Sequence, residues 1–135
     1  MIAALLFASA LSTCAPPVQA QEWMSRVIYS EARGESIEGQ IAVGWSIRNR
    51  AELYGVEIID VVITPGQFSV LRGKPQDERA WLKANVVAQH VLCSDVDPTR
   101  GATHFHAVGS RPGWASKLRT RGAKGRHLFY ARWGR

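Results

Sequence analysis

Apolar residues recur at helical spacing along most of this 135-residue chain, and at strand spacing only near its end. Met24, Val27, Ile28 and Glu31 fall at i, i+3, i+4 and i+7, one face of a helix predicted over about 22–33 and ended by Gly34. Ser36 can cap a second helix, with Glu38 in its first turn, Ile37, Ile41, Trp45, Ile47 and Ala51 as its core stripe, and an end near Tyr54 and Gly55. Val56 to Ile63 is apolar and β-branched, and reads as either a strand or a short helix. Thr64 to Ser69 has turn chemistry in its Pro and Gly. Asp77 can cap a third helix over about 78–93, with Trp81, Ala84, Ala88, Val91 and Leu92 turned inward. After a loop over 95–101, Thr103 to Val108 alternates, so His104 and His106 share one face of an extended segment. A Gly-bounded turn, a basic stretch and a closing apolar group, Leu128 to Trp133, complete the chain. The pattern predicts the α+β class, mostly helical, with a small β element and no repeat or second domain.

The first residues lie outside that pattern. Ile2 to Leu11 is an apolar run too short to span a bilayer, and Val18 and Ala20 are small residues suitably placed before a cut. This predicts a signal peptide over 1–20 and a single domain over 21–135, exported to the periplasm or the cell exterior; an uncleaved membrane anchor is the alternative. Cys14 would leave with the leader. Cys93 would then be alone, unable to form an internal disulfide and buried as a small hydrophobe. Charge is unevenly spread: residues 111–135 hold eight Lys or Arg and no acid, whereas residues 21–110 hold nine against eleven acids. In an exported protein such a basic segment suits the anionic polymers of a cell envelope, and no nucleic-acid partner is expected. The protein is expected to be monomeric.

Glu31 is the leading candidate for chemistry. Its helical phase puts a carboxylate on an apolar stripe near a helix C-terminus. Burial and the negative end of the helix dipole both disfavour its charged form, as a general acid near neutral pH requires. A plainer reading pairs it with a lysine or arginine. Arg33 is one such partner, and would oppose the shift if it reached the carboxylate. Glu35, across Gly34, is the natural second carboxylate for glycoside cleavage, but fits better as a local cap or surface charge. His104 and His106 resemble half of a zinc site that Glu31 or Asp97 would complete; with no HExxH or CxxC, substrate hydrogen bonding or a structural role is favoured, and neither metal nor cofactor is called for.

Four ordered blocks carry a family resemblance: Tyr29-Ser-Glu-Ala-Arg-Gly-Glu through Arg50, Pro65-Gly-Gln-Phe-Ser69, Asp97-Pro-Thr-Arg-Gly-Ala-Thr-His-Phe-His106, and Gly125-Arg-His-Leu-Phe-Tyr130. Together they resemble the SleB-type cell wall hydrolases, the family of the spore cortex-lytic enzymes, over essentially all of residues 22–131. The resemblance implies a lysozyme-like, lytic-transglycosylase-like domain acting on peptidoglycan glycan strands. Glu31 would be its single acid/base, and Gln67, Ser69, Thr103, His104 and His106 would line the substrate groove. A water-using muramidase, a zinc-dependent wall amidase and a non-catalytic wall-binding module are the competing expectations. Family members often carry a separate wall-binding domain, for which this chain has no room; the basic C-terminal segment is expected to serve instead.

Overall fold

The computed structural model describes residues 14–132. Four helices come first: α1 (Val18–Ala32), α2 (Ile37–Tyr54), α3 (Ile58–Ile63) and α4 (Glu78–Cys93). Strand β1 (His104–Ala107), a 3₁₀ turn (Gly113–Lys117), and strands β2 (Arg119–Lys124) and β3 (His127–Ala131) follow. The strands form an antiparallel sheet ordered β1-β3-β2, with His104 opposite Tyr130 and His106 opposite Leu128.

Local signals set the helix ends where the sequence places them. The Ser36 side chain accepts from the Gly39 N–H, Asp77 accepts from the Ala80 N–H, and Gly55 closes α2 in the left-handed conformation. The ambiguous segment after Gly55 is helical, started by a reciprocal cap between Glu57 and Asp60. Helix α2 is buried on nearly every side, so its core face is wider than the predicted stripe, and Ile37 is 48% exposed rather than core. Gly44 lets the helices close on one another: a Cβ there would lie 2.9 Å from Val91 on α4 and 3.4 Å from Met24 on α1. Met24, Val27 and Ile28 are fully buried, as their spacing requires.

One expectation is corrected. Cys93 is not alone: it is disulfide-bonded to Cys14, which ties the segment ahead of α1 to the end of α4. Helix α1 begins at Val18, so the folded unit reaches back across the expected cut after Ala20; residues 1–13 of the expected leader, like Trp133 of the closing apolar group, lie outside the described residues. The basic C-terminal segment supplies the 3₁₀ turn and two of the three strands, and Lys124 pairs with Glu38 at 3.1 Å. Among the described residues no helix is long and apolar enough to cross a membrane.

Candidate active site

Helix α1 organises the site. The long segment between α3 and α4 has almost no regular structure of its own, and three α1 side chains hold it. The Arg26 guanidinium donates to the Leu71 carbonyl at 2.9 Å, the Tyr29 hydroxyl accepts from the Asp77 N–H at 3.1 Å, and Glu31 Oε1 accepts from the Ser69 N–H at 2.6 Å. Glu31 is half-buried, and its Oε2 accepts no hydrogen bond among the described residues. Arg33 makes no ion pair with it; its guanidinium lies over the Tyr29 ring, 4.9 Å from the centroid. With the Ser69 N–H committed to Oε1, a proton on this carboxyl group belongs on Oε2.

A cleft opens along the Gly66–Phe68 stretch just before Ser69. One hollow of about 370 Å³ lies between Tyr54, Asp60, Thr64 and Gln67. A second, of about 470 Å³, is walled by Phe68, Phe105, His106 and Trp114; the two meet at Arg50, Gln67 and His104. Glu31 is not itself in the lining of either hollow; it is tied to the second through Ser69, the residue after Phe68. Arg50 supports the junction from beneath. Its guanidinium, on a residue only 7% exposed, donates to the Gln67 side chain at 2.8 Å and the Thr103 carbonyl at 2.9 Å, and faces the Phe68 ring. Burial lowers its pKa, with Tyr54 partly offsetting the effect, and arginine stays charged all the same.

The expected groove residues separate into distinct places. Gln67 and His104 line both hollows and His106 lines the second. Ser69 contributes its backbone N–H to Glu31. Thr103 does not face open space: it is 2% exposed, accepts Arg50 on its carbonyl and pairs its hydroxyl with His104 Nδ1 at 2.9 Å. Burial, then the charges of Arg50 and Arg132, lower the His104 pKa to about 4, so its ring is neutral near neutral pH. The two imidazoles share a face, as the alternation requires, and both contact the Trp114 ring. His106 Nδ1 donates to the Ala107 carbonyl at 2.8 Å, and Nε2 is hydrogen-bonded with the Tyr130 hydroxyl at 2.9 Å.

That hydrogen bonding does not suit a zinc site. Both His106 nitrogens are engaged. The Asp97 carboxylate is spent on Thr99, Gly101 and Asn49, fixing the loop that leads into β1. Among the described residues no three His, Cys, Asp or Glu side chains converge on one point.

Glu35 proves to be neither a local cap nor a surface charge. Its side chain is 11% exposed, Oε2 accepts from the Arg126 N–H at 3.1 Å, and Oε1 lies 3.8 Å from His127 Nδ1. It clasps the turn between β2 and β3, and Gly125 keeps that turn open to it: a Cβ there would collide with Oε2.

Arg50, Phe68, Phe105, Trp114 and Tyr130 were not foreseen as site residues. Phe105 touches Phe68 on one side and His127 and Phe129 on the other, so it forms the cleft floor. Trp114 contacts His104, His106 and Tyr130. Both positions follow from strand pairing and a turn that bring distant segments together, for which the chain carries no local pattern.

The sequence model of the family described as "Cell Wall Hydrolase" matches residues 34–130. The chain belongs to the cell wall hydrolase family. The match begins three residues after Glu31 and includes Arg50, Gln67 and the whole sheet up to Tyr130. Over 112 residues, this cell wall hydrolase is 30% identical to a spore cortex-lytic enzyme of Oceanobacillus iheyensis, a region that is 78% of this chain and 39% of that protein; the chain thus spans well under half of its relative's length. Among solved structures it is similar to the catalytic domain of the Bacillus cereus SleB protein (TM-score 0.68, 21% identity, 87% of this chain and 96% of that one). It is also similar to the catalytic domain of the germination-specific lytic transglycosylase SleB from Bacillus anthracis (TM-score 0.70, 20% identity, 84% and 95%). Those likenesses show that this cell wall hydrolase has the lysozyme-like fold of the SleB catalytic domain.

Proposed function

We propose that this cell wall hydrolase is a lytic transglycosylase that cuts peptidoglycan between N-acetylmuramic acid and N-acetylglucosamine, with Glu31 as its single acid and base. The observation that carries the reading is the state of that carboxyl group: one oxygen is held by the N–H of Ser69, the residue after Phe68 of the aromatic-walled cleft, and the other is unengaged among the described residues. Glu35, the neighbouring carboxylate, is occupied in holding the β2–β3 turn. Asp60, in the lining of the first hollow, caps α3 by accepting from the Glu57 N–H; with both neighbours so occupied, Glu31 is the carboxyl group assigned to a reaction that consumes no water.

Glu31 in its acid form gives the Oε2 proton to the glycosidic oxygen, the bond from that oxygen to the muramic C1 breaks, and N-acetylglucosamine leaves with a free 4-hydroxyl. The substrate's own acetamido oxygen shares the positive charge at C1. The Glu31 carboxylate then takes the proton of the muramic 6-hydroxyl as O6 bonds to C1. The 1,6-anhydro ring closes and Glu31 is an acid again. Gln67, neutral His104 and Trp114 are the groups we assign to holding the sugars, the amide and imidazole by hydrogen bonds and the indole by stacking.

The test is mass spectrometry of fragments released from purified peptidoglycan. Glu31→Gln keeps an oxygen to accept from Ser69 but has no proton to give, so fragment release falls by about 10²–10⁴-fold while wall binding persists. Wild-type fragments one water lighter than hydrated muropeptides are expected. Hydrated reducing ends would replace the assignment with a water-using muramidase, and cut peptide bonds would replace it with an amidase.

We also infer that the protein works outside the cytoplasm and keeps Cys14. An apolar leader-like run and a structural disulfide both suit an oxidising compartment. A cut after Ala20 would discard Cys14, so the intact mass of protein recovered from the envelope, without reductant, should include it. A mature chain starting at Gln21 would refute this.

A further inference from the structure

A third hollow, of about 660 Å³, lies beyond the sugar cleft and shares His106, Ser110 and Pro112 with it. We propose that this hollow binds the peptide stem of the muramic acid residue seated in the cleft, with Arg111 receiving a stem carboxylate. The inference rests on the glycan-cleaving reading and adds what the enzyme recognises beside the sugars.

Three observations lead there. The first is position. The stem hangs from the lactyl group of muramic acid, so it must leave the sugar cleft sideways. The third hollow adjoins the cleft across the His106 and Tyr130 pair, and is larger than either of the other two.

The second is the state of the cation. Arg26 is committed to Glu22, Arg48 to Glu52, Lys124 to Glu38, and Arg50 to Gln67 and Thr103, and none of these four lines the third hollow. Arg111 is exposed in the lining of the hollow and has no hydrogen bond or ion pair among the described residues. No acidic side chain lines the hollow with it, and residues 111–135 contain none. A carboxylate entering there meets a guanidinium without a competitor on the chain. The Ser110 hydroxyl is a neighbouring donor, which suits an acceptor-only group.

The third is backbone constraint. Arg111 precedes Pro112, which restricts it to extended conformations, and Gly109 turns the chain at φ 95° just before. The segment offering the guanidinium is therefore partly ordered before the ligand arrives, which lowers the entropic cost of binding. The glycan backbone itself is uncharged, so the stem is where a strand carries its carboxylates.

The full chain should be assayed on two soluble substrates: glycan strands bearing their stem peptides, and the same strands stripped of peptide by an amidase. Wild type should show the higher kcat/KM on the peptide-bearing strands. Arg111→Gln should shrink that preference about tenfold, chiefly through KM, as expected for loss of one charge-assisted contact. Arg111→Lys, which keeps the charge without the planar fork, should retain an intermediate preference. A preference unchanged in Arg111→Gln, or absent from wild type, overturns the stem assignment while leaving glycan cleavage standing. Wild type that cuts neither strand overturns the glycan-cleaving reading and this inference with it.

Discussion

Glu31 and His104 illustrate how differently two ionisable residues of one site can be prepared. The placement of Glu31 could be read from sequence because helical phase is a local property: Met24, Val27 and Ile28 define the buried face of α1, and Glu31 lies half-buried one turn further along it. The condition of His104 could not be read, because the burial and the Arg50 and Arg132 charges that act on it come from three segments of chain. Its folded pKa of about 4 lies below the ordinary histidine value of about 6.5, so the folded state resists taking up its proton. The sign of the linkage follows. The contribution of neutral His104 is fully present above about pH 6.5 and is lost as pH falls toward 4. His104→Asn, which keeps a polar group near Nδ1, should therefore flatten the acid side of the stability curve. Thermal melting of both proteins between pH 7 and pH 4 checks this. Parallel curves would mean that His104 does not cause the acid sensitivity.

At the scale of elements, what was legible depended on how far apart the interacting residues lie. The ends of α2 and α4 could be read because Ser36, Gly55 and Asp77 act within one turn. Strand β2 could not. Arg119 to Lys124 has no apolar face to give a period, and the segment is extended because β3 supplies its hydrogen bonds. The grip of Glu35 on the β2–β3 turn was equally hidden, since its partner Arg126 lies 91 residues on. That grip predicts a measurable coupling. Gly125→Ala should cost about 1–3 kcal/mol, combining the strain of a side chain at φ 61° with the collision against Glu35. In a Glu35→Ala background the collision disappears and the cost should fall to that of the backbone alone. Denaturant melts of the four proteins in this cycle measure it, and strictly additive costs would show that the turn and the carboxylate do not meet.

For the whole molecule, the disulfide and the α1 anchors set the limits. Cys14 and Cys93 are 79 residues apart in sequence, so the bond restrains a long loop of the unfolded chain. Reduction should lower the unfolding free energy by about 2–4 kcal/mol, and Cys93→Ser should remove the response to reductant. Urea melts with and without reductant decide the matter; coincident midpoints for wild type would mean that the pair contributes nothing. The anchors have a different consequence. Ser69 follows Phe68 in the wall of the second hollow, and its N–H is held by Glu31, the proton donor of the proposed reaction. The groove therefore cannot widen at that point without pulling the acid out of line. If the proposed reaction holds, a strand made thick by cross-links would fit by spreading the wall but would meet a carboxyl group aimed elsewhere, so the width of the polymer would be read out as a rate of cleavage rather than as a strength of binding.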